Sequence, residues 1–378
     1  MNVTQAIVPK AEHFVALAVV RSLGRQHIPA TAVSLDPDAL TFHSRYCYNK
    51  IIDEKNKDLY LNFSEHDLIM PTDEDVMAAI AKNRSVYACI PAFPDYPILE
   101  PFFDKKLLLD RAEELGVPCP ETFFFKDSAE LEQSLGRIKY PLVIKPVHGS
   151  GGVGISFLES GDPVKNVFEE SIKKSGPVLV QEKIPYTERY SVAVLMNQDQ
   201  KVRRLCVLRA LRFNPIHTGP AAVVESVERP DLVQYARTML ESMEYFGIAE
   251  LEFVIDKRDG SPRLMEINPR FWGSTQGAIS AGVDFPSALY YLMRDGDIPD
   301  NQNYVRGIRT RNVIFYDYRR LYRIIRDKYP LEFKISSVIE FLKFYKDDAY
   351  FIFDLHDMKP FLSLISHSLY RKADPAAP

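Results

Sequence analysis

Apolar and polar positions follow two successive patterns along this chain. Near the N-terminus, short apolar runs alternate with amphipathic stretches: residues 5–9 predict a strand, residues 12–25 a helix ending at Gly24 and HIPA, and residues 30–35 a second strand. Residues 67–70 followed by PTDEDV predict another strand feeding a helix, capped by Thr72 or Asp73 and favoured by its acidic first turn. This β-α-β spacing implies a parallel sheet. The first strand-to-helix turn lacks a glycine fingerprint, so Asp36 reads as a turn residue and not as a ribose ligand.

The pattern changes after the proline-rich stretch YACIPAFPDYPILEPFFDKK. A helix over 104–115 closes at Gly116 and Pro118, and a helix over 128–135 precedes a strand over 142–144 that ends in Lys145. A strand over 155–158, a helix over 164–174 and a strand over 178–181 complete an α+β unit. SVAVLM and KVRRLCVLRALRF then predict two strands joined by NQDQ, residues 230–246 a helix, and IAELEFVID with RLMEINPR a hairpin. From residue 298 the tail is rich in Tyr, Phe and Arg without a repeat. The expected fold class is α/β and α+β, with a parallel-sheet unit over 1–103, a central unit over 104–297 whose small subdomain spans about 119–183, and an extension over 298–378.

Candidate chemistry concentrates in two places. In YPLVIKPVHGSGGVGIS a buried strand delivers Lys145 to a turn holding Gly149, Ser150, Gly151, Gly152 and Gly154. Glycines let backbone N–H groups converge on an anion, and the lysine adds a mobile positive charge, so the stretch reads as a strand–loop–strand flap over phosphates. In the hairpin, side-chain alternation puts Glu250 and Glu252 on one face of the first strand, and Glu266, Asn268 and Arg270 on one face of the second. Glu252, Glu266 and Asn268 form a hard oxygen set of the kind Mg²⁺ takes alongside substrate phosphates.

Composition narrows the function class. The chain has 378 residues, 46% hydrophobic and 26% charged, with net charge −4, which is ordinary for globular protein and offers no general attraction to nucleic acid. Cys47, Cys89, Cys119 and Cys206 show no metal or disulfide spacing. With no leader pattern in MNVTQAIVPK and no run long enough to span a bilayer, a cytoplasmic location is expected.

Together FFDKKLLLDRAEELGVPCPET, PLVIKPVHGSGGVGI, VLVQEKIPYTERYSV, GIAELEFVID and LMEINPRFWGS resemble the ATP-grasp superfamily in order and spacing, and the N-terminal unit resembles its preATP-grasp domain. The resemblance implies two α+β subdomains clamping ATP. It implies that Lys105, Lys145 and the Gly149–Gly154 loop contact phosphates, that Glu182 and the backbone of Lys183 and Ile184 read adenine, and that Glu188, with Arg189 as the alternative, holds ribose. Glu252, Glu266 and Asn268 would bind two Mg²⁺ ions, with Mn²⁺ as a substitute, and Arg270 would stabilise the transferring phosphoryl group or the substrate carboxylate.

More narrowly, RALRFNPIHTGPAAVVES resembles a carboxylate–amine ligase or carbamoyl-phosphate-synthase-like group, in which Arg209, Arg212, Thr218 and Gly219 would face the reaction centre. The implied activity is an ADP-forming carboxylate–amine ligase acting on small-molecule carboxylate and amine substrates through an acyl phosphate. A bicarbonate-using carboxylase-type enzyme is the second reading, although no Met-Lys-Met biotin-carrier signature is present. A non-catalytic nucleotide-binding protein is the third, against which the intact Glu252 and Glu266 weigh. For the tail, docking on the core and a homodimer interface stay open, and a membrane surface is disfavoured by the mixed charges.

Overall fold

The computed structural model describes residues 3–53, 62–149, 153–216, 219–345 and 348–373, with side chains up to 366. The N-terminal unit runs β1 (Gln5–Val8), α1 (Phe14–Arg25), β2 (Ala30–Ser34), β3 (Asn49–Ile52), β4 (Asp67–Ile69), α2 (Glu74–Lys82) and β5 (Ile90–Pro91). Its five strands pair in the order β3-β2-β1-β4-β5, all parallel. The β2 strand is buried along its whole length, as parallel strands covered on both faces must be. Asp73 caps α2 by accepting from Val76 N–H.

Two helices, α3 (Tyr96–Phe103) and α4 (Lys105–Glu114), lead out of this unit. Asp104 caps α4 through the N–H groups of Lys106 and Leu107, which places Lys105 at the first helical position. Next come β6 (Thr122–Phe123), α5 (Ser128–Ser134), β7 (Leu142–Pro146), β8 (Ser156–Leu158), α6 (Val164–Ser175) and β9 (Val178–Glu182). The strands form an antiparallel sheet, β6-β9-β7-β8, with α5 and α6 packed on it. Its core, built from Leu131, Leu142, Ile144, Phe168, Val178 and their neighbours, is separate from the two other clusters. A subdomain with its own core can shift as a body without opening the rest of the protein.

The long strands follow: β10 (Tyr186–Met196), β11 (Val202–Phe213), β12 (Ala221–Ser226), α7 (Pro230–Ser242), β13 (Gly247–Asp256), β14 (Pro262–Asn268), α8 (Thr275–Ser280) and α9 (Phe285–Asp295). The tail adds β15 (Arg309–Arg311), α10 (Tyr318–Arg326), α11 (Leu331–Leu342), β16 (Ala349–Tyr350) and α12 (Lys359–Ala373). The central sheet has the order β14-β13-β10-β11-β12-β15-β16, so the tail supplies two of its seven strands. One sheet face packs Ala193, Leu195, Leu208 and Ile248 with Phe271, Trp272 and α1; the other packs Val192, Leu251 and Phe253 with α7, α3 and α4. Both clusters also include N-terminal strand residues, so the N-terminal unit and the central sheet share a core.

The tail docks on this core. Arg21 of α1 is buried, donating from Nε to Asp357 (2.9 Å) and from its terminal nitrogens to the carbonyls of Ile352 and Asp357 (2.8 Å each). Saturating the guanidinium in this way offsets the large cost of burying its charge. No helix of the described residues is long and apolar enough to cross a membrane.

Candidate active site

The site is organised by strand pairing. Glu250 stands opposite Asn268, and Glu252 opposite Glu266, across β13 and β14. On the other side of β13, Ser191 pairs with Glu252 and Ala193 with Glu250. Directly paired residues project to the same sheet face, so the three carboxylates, Asn268 and Ser191 converge. Asn268 Nδ2 donates to Glu250 (2.7 Å) and to Glu266 (3.2 Å), and Arg270 donates to Asn268 Oδ1 (3.2 Å) and, through Nε, to Glu74 of α2 (2.7 Å).

From the small subdomain, β7 brings Lys145 into this field, with only 8% of its surface exposed. Burial pushes its pKa down to about 8 against the pull of Glu266 and Glu252, and Lys105 adds a repulsive charge. Glu252 is displaced the other way, up to about 7, by burial and by Glu266 and Glu250, with Arg189 and Lys145 opposing. Glu250 is also raised, chiefly by burial, while Ser191 and Asn268 hold its charged form. Two lysines and three carboxylates thus form one coupled set at the junction of the small subdomain and the central sheet.

The flap is anchored beside this set. Lys105 Nζ donates to Gly149 C=O, and Lys105 N–H to Val147 C=O (3.2 Å). Gly149 and Gly154 have φ of +110° and +77°, and a Cβ on Gly154 would lie 2.9 Å from Pro146 Cγ. Glycine is required at Gly154 both for the left-handed backbone and for this close approach. Ser150, Gly151 and Gly152 lie outside the described residues, as do His217 and Thr218. His148 shares a hydrogen bond between Nδ1 and Phe103 C=O (3.1 Å), the arrangement of a loop residue tied to its neighbour.

Several expected site residues lie away from the Glu252 cluster or are engaged within the protein. Arg209 pairs with Tyr190 and Glu225, on the sheet face opposite Glu252, and its guanidinium binds Glu225 (2.7 Å) and Glu188 (3.3 Å). Glu188 is on that same face, accepting from Tyr190 OH (2.9 Å), so it does not join the metal-side cluster. Glu188 shares this face with Tyr190 by simple alternation, since β10 pairs with β13 in regular register from Glu188 to Met196. Arg212 is tied to the tail, donating to Asp317 (2.8 Å) and Glu340 C=O (3.1 Å), and a register shift between Ala210 and Arg212 turns it to the Arg209 side. The Glu182 carboxylate is engaged by Glu121 N–H (3.0 Å) and Arg258 (2.9 Å), and Lys183 N–H by Pro141 C=O (2.9 Å). The Glu182 carboxylate and the Lys183 N–H, both expected to read adenine, thus already have partners within the protein.

Arg189, expected as the alternative to Glu188, and Glu250, expected as the neighbour of Glu252, both join the site. Arg189 lies 3.7 Å from Glu252, donates to Gly219 C=O (2.8 Å) and stacks over Phe213 at 4.3 Å. Glu250 is 3% exposed and anchors Asn268. Strand alternation pointed to Glu250 as a neighbour of Glu252, and alternation from Ser191 puts Arg189 on the same face.

The donor set suits a Mg²⁺ bound partly by substrate oxygens. Among the described residues no three His, Cys, Asp or Glu side chains are close enough to enclose a metal by themselves, and Mg²⁺ characteristically takes one or two carboxylates plus phosphates. Glu252 and Glu266 provide that pair. Asn268 presents nitrogen to the carboxylates, so ligation through its oxygen requires its amide to turn over.

Comparison with known proteins places these features. A family model described as an ATP-grasp domain matches residues 103–274. The chain is 25% identical to a D-aspartate ligase of Enterococcus faecium over 238 residues, 57% of this chain and 55% of that protein. It is 23% identical to a carbamoyl phosphate synthase large chain of Methanoregula boonei over 193 residues, 49% of this chain but only 18% of that protein. The chain thus spans about half the length of the first relative and under a fifth of the second. Among solved structures, N5-carboxyaminoimidazole synthetase of Staphylococcus aureus superposes with a TM-score of 0.69 over 86% of each chain at 12% identity. Biotin carboxylase of Campylobacter jejuni, in a beta-gamma-ATP complex, gives 0.66 over 81% of this chain and 74% of that one at 17% identity. These likenesses establish the fold, an ATP-grasp architecture behind a parallel-sheet unit.

Proposed function

We propose, from the match of residues 103–274 to a family model described as an ATP-grasp domain, that the protein is an ADP-forming carboxylate–amine ligase. The observation that carries the reading is the Glu252–Glu266 pair, facing the buried Lys145 and the Lys105-anchored flap. The coverage of the D-aspartate ligase relative supports carboxylate and amine substrates.

In this reading Lys105, Lys145 and the flap hold the phosphates of ATP, and the turn after β9 receives the adenine. Glu252 and Glu266 would hold Mg²⁺, with Asn268 joining them once its amide turns over, and the ion would neutralise charge on the phosphate oxygens. A substrate carboxylate oxygen attacks the γ-phosphorus in line as ADP leaves, giving an acyl phosphate. An amine nitrogen then attacks the acyl carbon; phosphate departs with one carboxylate oxygen, and the amine proton passes to solvent. Arg270 and Arg189 hold the carboxylate, and the independently cored small subdomain closes to exclude water.

The test is ADP release from MgATP with a panel of amino and organic acids, each with and without an amine. Release that requires both an organic acid and an amine supports the proposal. Bicarbonate-stimulated release without an organic acid assigns the carboxylase-type reading instead, and no release with any acid favours nucleotide binding without turnover.

A further inference from the structure

The tail contributes a surface that the proposed reaction does not use. On α11, Leu331, Ile335, Ile339 and Leu342 are 70, 51, 60 and 62% exposed. At helical spacing these positions fall within about 80° of arc, a single apolar stripe along the helix. On the neighbouring α10, Tyr318, Tyr322 and Ile325 are 49, 54 and 51% exposed and fall within about 60° of arc. Scattered exposed apolar residues are ordinary, but exposed apolar stripes on two helices in contact are not.

Charge indicates what covers them. Seven Lys and Arg side chains stand against three Asp and Glu between Tyr318 and Tyr345, in a chain whose net charge is −4. The basic excess is therefore local to this stretch, which reverses the expectation that mixed charge along the tail disfavours a membrane surface. Arg319, Arg323 and Arg326 are exposed and fall on α10 about 100° from its apolar stripe, at its border. Of the acidic groups nearby, Asp327 pairs with Arg326 (2.8 Å) and buried Asp317 with Arg212 and Arg311 (2.8 and 2.9 Å), while Glu332 and Glu340 on α11 are exposed.

We propose that the α10–α11 face is a peripheral docking surface for an anionic phospholipid bilayer. Leucine and isoleucine side chains enter the acyl boundary, Tyr318 and Tyr322 sit at headgroup depth with hydroxyls toward water, and the bordering arginines meet lipid phosphates. A second copy of the chain fits less well, because a two-fold contact sets a patch against itself and would oppose arginines to arginines. The helices are too short and too charged to span, so the contact is interfacial.

Co-sedimentation of the full chain with phosphatidylcholine vesicles, with and without phosphatidylglycerol, tests the proposal. Binding should require the anionic lipid and weaken as salt is raised. It should fall about tenfold or more in Ile335→Glu/Ile339→Glu and, separately, in Arg319→Glu/Arg323→Glu, with thermal unfolding and ATP turnover in solution unchanged. A chain that stays in the supernatant with anionic vesicles at low salt overturns the proposal, as does equal pelleting of wild type and both variants. A dimer that Ile335→Glu/Ile339→Glu dissociates, without vesicle binding, reassigns the face to self-association. Retention on immobilised polyglutamate without vesicle binding reassigns it to an acidic polypeptide partner.

Discussion

Glu252 stands directly opposite Glu266 in the β13–β14 hairpin, and the register slips immediately beyond them, between Glu252 and Phe253. The slip lets Phe253 and Leu264 fill the core on one face while both carboxylates point to the other. Bringing two carboxylates together in a half-buried place costs stability in the absence of a cation. With Lys145 nearby, the cost is partly offset, and a metal ion would offset more of it.

Glu266→Gln keeps the size and hydrogen-bonding capacity of the side chain but removes its charge. ATP turnover should fall by on the order of 100-fold, with an unchanged circular dichroism spectrum. Near-wild-type turnover at moderate Mg²⁺ would show that the metal is held elsewhere.

Lys145→Ala removes a charge-assisted contact from the phosphate side. ATP affinity should weaken by roughly 1.5–3 kcal/mol, measurable by calorimetry on the folded variant. Equal affinities for variant and wild type would remove Lys145 from the phosphate site.

Gly154→Ala must place a Cβ on a backbone with φ +77°, 2.9 Å from Pro146 Cγ. The left-handed conformation alone costs roughly 1–2 kcal/mol for an L-residue. ATP affinity should drop while the melting of the central sheet is preserved, and an unaffected nucleotide affinity would show that the turn does not shape the phosphate site.

The pH dependence of stability has a definite sign. Glu252 is raised in the fold to about 7, so its contribution is present below its unfolded value and is lost as pH rises through 7. Lys145 is lowered to about 8, so its penalty is present below 8 and is relieved as pH rises toward its unfolded value. Together these groups should give the ligand-free protein a shallow stability minimum near pH 7 to 8. Mg²⁺ competes with the Glu252 proton, so Mg²⁺ affinity should rise with pH through about 7. Glu252→Gln should flatten that rise, and a pH-independent Mg²⁺ affinity in the wild type would contradict the assignment.

The parallel N-terminal sheet and the β13–β14 hairpin were legible in the sequence because simple periodicity encodes them. Glu250, Glu252, Glu266 and Asn268 followed from alternation on the side of the hairpin ahead of the register slip. The face of Arg212 was not legible. Arg209 and Arg212 are three residues apart, so a regular strand would put them on opposite faces; the shift between Ala210 and Arg212 brings both to the side away from Glu252. Such irregularities arise from packing between strands and leave little mark in local composition. The tail was opaque for a similar reason, since β15 and β16 take their places only by pairing with strands distant in sequence.

The most direct measurement of the acyl-phosphate proposal uses a cognate acid labelled with oxygen-18 in its carboxylate, in the presence of MgATP and amine. One labelled oxygen should appear in inorganic phosphate for each amide formed, with ADP as the nucleotide product. Label retained wholly in the amide product, or release of AMP and pyrophosphate in place of ADP, would contradict carboxylate activation by phosphoryl transfer at this site.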